Sequence, residues 1–176
     1  VPRGGKLNQS FIDYLKKLDE IHIEEKLLRI GHVVCLAAVL KHCQLTVLDI
    51  SSSVIGPDGM YVLQRYASEK LRGITTLRLR DTSLDPIGMQ WFLNACQLKC
   101  NIMELYLAHN SIGDDGMTAL GRSLGYFPVL STLDLSANSI TKSLSAFSLA
   151  CKGTTDKFCQ YKERLDELRD TIEVAG

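Results

Sequence analysis

The chain has 176 residues, enough for one well-buried domain and scarcely for two, and its 20 basic and 20 acidic side chains give a formal net charge of zero. A neutral chain lacks the broad positive field of a nucleic-acid binder, and no apolar run approaches the roughly 20 residues that cross a bilayer, so neither nucleic acid nor membrane is an expected partner. The first residues lack a signal-peptide layout.

Val1-Pro2-Arg3-Gly4 resembles the core of a thrombin cleavage site, so residues 1–5 read as an expression-tag remnant, with the native segment beginning near Gly5 or Lys6 and the whole a piece of a longer protein. Phe11, Leu15 and Leu18 then recur at helical spacing, which predicts a short amphipathic helix. Residues 6–19 are expected to form an N-terminal helical cap that covers the open edge of the first strand. Ile21, Ile23 and Leu28 look like a degenerate first unit, with a helix over 33–42.

Four copies of one pattern come next: Leu48, Ile50, Ser53, Ile55; Leu77, Leu79, Thr82, Leu84; Leu105, Leu107, Asn110, Ile112; and Leu133, Leu135, Asn138, Ile140. Successive copies start 29, 28 and 28 residues apart. Each opens with the polar–apolar alternation of a half-buried strand, as in Thr76-Leu77-Arg78-Leu79-Arg80, and continues through a turn into an apolar helix such as Gln90 to Cys96. Gly59, Gly88 and Gly116 share one register, expected to serve a tight backbone path.

A unit of this length with strand, glycine-bearing turn and helix resembles the leucine-rich repeats of the ribonuclease-inhibitor-like subfamily, most clearly in Leu105-Tyr106-Leu107-Ala108-His109-Asn110-Ser111-Ile112. The resemblance implies an α/β fold: a right-handed solenoid, a short horseshoe with a parallel β-sheet on the concave face, helices on the convex face and helical end caps. About five units are expected over residues 20–151. Beyond Ile140 the repeat decays, through a short helix over 144–151 and a Gly153-Thr154-Thr155 break. Residues 152–176 read as a C-terminal capping helix, N-capped by Asp156, with Phe158, Tyr161, Leu165, Leu168 and Ile172 on one face. The same spacing fits the start of a coiled coil and hence a helix partner, but it spans only about two heptads, and a parallel pair would oppose Arg164 with Arg169. A monomer is expected.

Residues that invite a chemical reading have structural ones beside it. Ser53, Thr82, Asn110 and Asn138 occupy one position at the strand ends and are expected to form a ladder that satisfies buried backbone groups. Gly113-Asp114-Asp115-Gly116 is read as a strand-to-helix turn, since its equivalents do not repeat the acids of a cation loop. The histidines His22, His32, His42 and His109 make no short-range ligand set. Of the six cysteines, Cys35, Cys43, Cys96 and Cys100 fall in segments read as helix, and with Cys151 and Cys159 they are expected to be free thiols of an intracellular, cytoplasmic protein. Cys96 and Cys100 stand at i and i+4 with no further ligand nearby, so no metal, cofactor or catalytic residue is assigned.

Alternation turns one set of strand side chains away from the core. Stacked in parallel, they form a column of His22, Asp49, Arg78, Tyr106 and Asp134, and beside it Glu24, Ser51, Arg80, Ala108 and Ser136, with Val47, Thr76, Glu104 and Thr132 flanking. Two readings compete: a solvated face with Arg78 paired to Asp49 and stacked on Tyr106, or a concave protein-binding face formed by Asp49, Arg78, Arg80, Glu104, Tyr106 and Asp134, with the arginines reading anions. The expected function is a non-catalytic interaction module, part of a scaffold or adaptor. The alternatives are a small-GTPase regulator, on what the resemblance implies, and a structural subunit that uses its last helix as a joint.

Overall fold

Alternation of aliphatic and polar residues at each repeat start produces a three-residue strand: β1 (Glu20–His22), β2 (Val47–Asp49), β3 (Thr76–Arg78), β4 (Glu104–Tyr106) and β5 (Thr132–Asp134). In this computed structural model, which describes residues 9–24, 27–97 and 100–141, the strands form one parallel sheet in chain order. Register is uniform: Ile21, Leu48, Leu77, Leu105 and Leu133 are successive partners.

Among the described residues α1 (Gln9–Leu15) precedes the first strand, and α2 (Ile30–Leu40), α3 (Gly56–Leu71), α4 (Pro86–Cys96) and α5 (Gly113–Ser123) follow β1 to β4 in turn. The last continues into a 3-10 turn over Leu124–Tyr126. Pro57 and Pro86 stand in first turns, where a missing N–H is no loss. Acids Asp58, Asp114 and Asp115 open α3 and α5, and Lys70 and Arg122 close them, matching the helix dipole.

The core lies between the helices and the sheet. Leu48, Leu77, Leu105 and Leu107 are buried from below, Val33, Met60, Met89 and Met117 from the helical side, and Phe92 meets Phe127 with ring centroids 6.0 Å apart. Helix α2 differs from the range read from sequence, starting at Ile30 and ending at Leu40. Helix α1 buries Leu15 but leaves Phe11 exposed, stacked on Tyr14 at 6.4 Å, and Leu18 falls beyond its end. Of the cysteines read as helical, Cys35 lies in α2 on an exposed face and Cys96 in α4, whereas Cys43 lies just past α2 and Cys100 beyond the end of α4. The C-terminal helix, Cys151, Cys159 and the leading residues 1–8 lie outside the described residues.

The polar ladder positions Ser53, Thr82, Asn110 and Asn138 are all buried. Asn110 Oδ1 accepts from Thr82 N at 3.0 Å and Leu84 N at 2.9 Å, with Thr82 Oγ1 3.2 Å away. Its Nδ2 donates to the carbonyls of Leu79 and Leu107 at 2.7 and 2.8 Å. Asn138 repeats the arrangement one turn on, donating to Leu107 and Leu135, both at 2.9 Å. Thr82 Oγ1 donates to Leu79 O, and Ser53 Oγ to Ile23 O. Each side chain thus joins adjacent turns whose backbone groups have no water to turn to.

The shared glycines have a different physical reason from the one the sequence pattern offers. Gly59, Gly88 and Gly116 sit within helices, and what they supply is closeness. A Cβ on Gly88 would lie 3.3 Å from Pro57 Cα of the preceding helix, and one on Gly116 3.4 Å from Pro86 Cα. Among the described residues the glycines with left-handed backbone are Gly56 and Gly113, at φ of 58° and 59°.

Candidate functional site

The sheet face turned away from the helices carries the outward strand residues. Pairing of the strands sets His22, Asp49, Arg78, Tyr106 and Asp134 side by side in one column, and Glu20, Val47, Thr76, Glu104 and Thr132 in the flanking one. Ser51, Arg80, Ala108 and Ser136 stand two residues on, where backbone bonds such as Ser52 N to Arg80 O and Asp81 N to Ala108 O continue the ladder.

Tyr106 is the centre of this face. The Arg78 guanidinium lies 5.5 Å from its ring centroid and that of Arg80 5.8 Å, both within cation–π range. Each arginine is also held by a carboxylate: Arg78 Nη1 is 3.9 Å from Asp49 Oδ2, and Arg80 Nη2 donates to Asp134 Oδ2. The Tyr106 hydroxyl and Thr76 Oγ1 both donate to Glu104 Oε2, at 3.4 Å. His22 stands 3.2 Å from Glu20 and 3.6 Å from Asp49.

Asp134 is the best-anchored acid. Burial raises its carboxyl, but hydrogen bonds from the hydroxyl and N–H of Ser136 and from Arg80 outweigh this and hold it below the usual carboxylate range. The charge it presents is therefore fixed.

The structure brings together Asp49, Arg78, Arg80, Glu104, Tyr106 and Asp134, and assigns the two arginines to carboxylates and a ring of their own chain. Sequence reading places His22 in a column but leaves it and Glu20 out of the site, although His22 reaches the Asp49 carboxylate. Ser136, the main support of Asp134, is likewise missing from the sequence-derived set. Column membership is the available signal for all three.

Away from this face, Cys96 and Cys100 are both buried, and Cys100 Sγ donates to the carbonyl of Tyr126 at 3.4 Å. Interaction with Cys100 together with burial pushes the Cys96 thiol up, while the same interaction draws Cys100 down against its own burial. Burial also raises Cys43, opposed by Lys70. Among the described residues no group of three or more His, Cys, Asp or Glu side chains is arranged to hold a metal ion. His32 lies in α2, His42 past its end and His109 past β4, each on an element different from that of His22. Among the described residues no helix is long and apolar enough to cross a membrane.

Comparison with known proteins agrees with this architecture. A family model for the leucine-rich repeat matches residues 41–63 and 99–121, two stretches that each run through a strand and its ladder residue into the following helix. A solved structure of leiomodin-1 actin-binding site 2 is similar in fold, with a TM-score of 0.61 over 96% of this chain and 99% of that one, at 12% sequence identity. No curated protein matches the chain in sequence. The chain is a leucine-rich-repeat protein with an α/β solenoid fold.

Proposed function

We propose that the chain is a non-catalytic protein-interaction module of the ribonuclease-inhibitor-like kind, part of an intracellular scaffold or adaptor, which receives its partner on the sheet face through Asp49, Arg78, Arg80, Glu104, Tyr106 and Asp134. The observation that carries this reading is the cluster on Tyr106: two guanidiniums lie within cation–π range of one ring, and each meets a carboxylate from another strand. Held side chains lose little freedom on binding, and tyrosine and arginine are the residue types that dominate interface energetics. A sheet shared by successive repeats also lets residues distant in sequence act on one ligand.

Leiomodin-1 is described as actin-binding, which makes actin the first partner to test, by co-sedimentation of the chain with filaments. For whichever partner is recovered from extract, calorimetry of Tyr106→Ala should show a loss of about 2 kcal/mol or more, as for a central anchor. Substitutions at Gln64 or Arg122, on helices α3 and α5, should change little. Loss of affinity only with helix-side variants would sink the sheet-face reading.

A further inference from the structure

The sheet face carries a charge pattern beyond the Tyr106 cluster, and the pattern states what kind of partner fits. It presents the carboxylates of Glu20, Glu24, Asp49, Glu104 and Asp134 against the guanidiniums of Arg78 and Arg80. Both guanidiniums are already committed, to Asp49 and to Asp134. Glu104 receives only hydroxyl donors, from Tyr106 and Thr76, and no cation pairs with it among the described residues. Glu20 has only His22 beside it among those residues.

Spacing adds a second constraint. Asp49 on β2 and Asp134 on β5 are three strands apart, and so are Glu20 on β1 and Glu104 on β4. With adjacent strands about 4.8 Å apart, each pair spans about 14 Å across the sheet. An extended chain advances about 3.3 to 3.4 Å per residue and turns alternate side chains to one side, so residues i and i+4 project the same way about 13 to 14 Å apart. The chain meets its own Asp pair with Arg78 and Arg80; the Glu pair, at the same separation, is left for an outside cation.

We propose that the sheet face takes a basic, extended segment of a partner protein, crossing the strands with two arginine or lysine side chains four residues apart that meet Glu20 and Glu104. This rests on the sheet face being the binding surface. It reverses the expectation that Arg78 and Arg80 read an anion: they are the face's internal counter-ions, paired with Asp49 and Asp134 and within cation–π range of Tyr106.

The test uses the full chain, labelled with nitrogen-15, and three capped nine-residue peptides in a serine background: arginine at positions 3 and 7, arginine at 3 and 6, and glutamate at 3 and 7. At low salt the first should shift amides of β1 to β4 in a saturable way, more tightly than the second, and the third should leave them unmoved. Glu20→Gln with Glu104→Gln keeps shape and removes both charges, and should weaken the first peptide roughly three- to tenfold, the range expected for two exposed ion pairs. Equal binding by the glutamate peptide or by the 3 and 6 peptide, or no change in the double variant, overturns the proposal. Shifts confined to α2 to α5 would sink the sheet-face reading itself, whereas sheet shifts that ignore charge sink only the basic-segment assignment.

Discussion

The turns after β2 and β4 and those after β3 and β5 leave a strand across the same ladder position, by two backbone paths. In the first pair a glycine three residues past the ladder is left-handed, Gly56 at φ 58° and Gly113 at 59°. In the second pair the residue just past the ladder takes that role, Ser83 at 56° and Ser139 at 55°. The position three past is then Asp85 or Thr141, and Asp85 caps α4 by accepting from Gly88 N at 2.7 Å. All four turns share a left-handed residue just before the ladder, Ser52, Asp81, His109 and Ala137. The difference teaches that the repeat fixes a destination and leaves the route to local chemistry. A left-handed serine costs on the order of 1 kcal/mol, and an N-cap of about the same size offsets it.

The largest effect is expected where both paths meet. Asn110 serves the serine-type turn through Thr82 N and Leu84 N, and its own glycine-type turn through Leu107 O. Asn110→Ala leaves several buried groups without partners at about 1 to 3 kcal/mol each, so urea denaturation should show a loss of roughly 3 kcal/mol or more. A shift no larger than that of a surface variant would contradict the ladder's role.

Next comes helix packing, which the two paths share. Gly116→Ala would place a Cβ 2.6 Å from Ile112 Cγ2, whereas Gly59→Ala meets Ile55 Cβ at 3.1 Å. The first should cost about 1 to 3 kcal/mol as overpacking, and the second less. Equal losses in thermal melts would mean that helix position rather than the contact decides.

The paths themselves separate at Gly113→Ala, expected to cost about 1 kcal/mol because its φ is positive. Ser83→Gly should be neutral or slightly stabilising, and Ser111→Gly, at the equivalent position where the backbone is not left-handed, should be destabilising. Identical behaviour of Ser83→Gly and Ser111→Gly in chemical denaturation would erase the distinction.

The smallest effect is electrostatic and belongs to the sheet face. Because the Asp134 carboxyl is held below its usual range in the folded chain, its contribution to stability is present above the ordinary carboxylate pKa and is lost as pH falls through the folded value. Carbon-13 titration should find its midpoint lower than that of an exposed aspartate, and Arg80→Ala should raise it. No movement in the variant would show that Ser136 alone sets the value.

Much of the fold is legible in the sequence because the period and the alternation act together: 28 or 29 residues fix which strand residues are neighbours, and period two fixes which face they share. The columns come from that alone. The two turn paths are hidden because Gly59, Gly88 and Gly116 form the conspicuous register, while the left-handed residues at Ser83 and Ser139 are of a type that seldom marks such backbone. The Cys96 to Cys100 spacing reads as one helix face, but α4 stops at Cys96, before that turn is complete. At the candidate site, the columns give Arg78 its neighbours Asp49 and Tyr106. They do not give Arg80 its carboxylate, because Asp134 lies two strands away and 54 residues on, within reach only of a long side chain crossing the sheet diagonally.

The close seating of Pro57 against Gly88 and of Pro86 against Gly116 has a mechanical consequence. Strands repeat about every 4.8 Å, whereas packed helices need about 8 to 10 Å, so two layers built from the same units can be joined only along an arc with the strands on its shorter side. Glycine lets neighbouring helices meet closely at their first turns, so the outer layer of the arc is tightened there. A methyl group added at these joints would therefore act as a shim, opening the wedge between units and altering the distance at which Glu20 and Glu104 face one ligand.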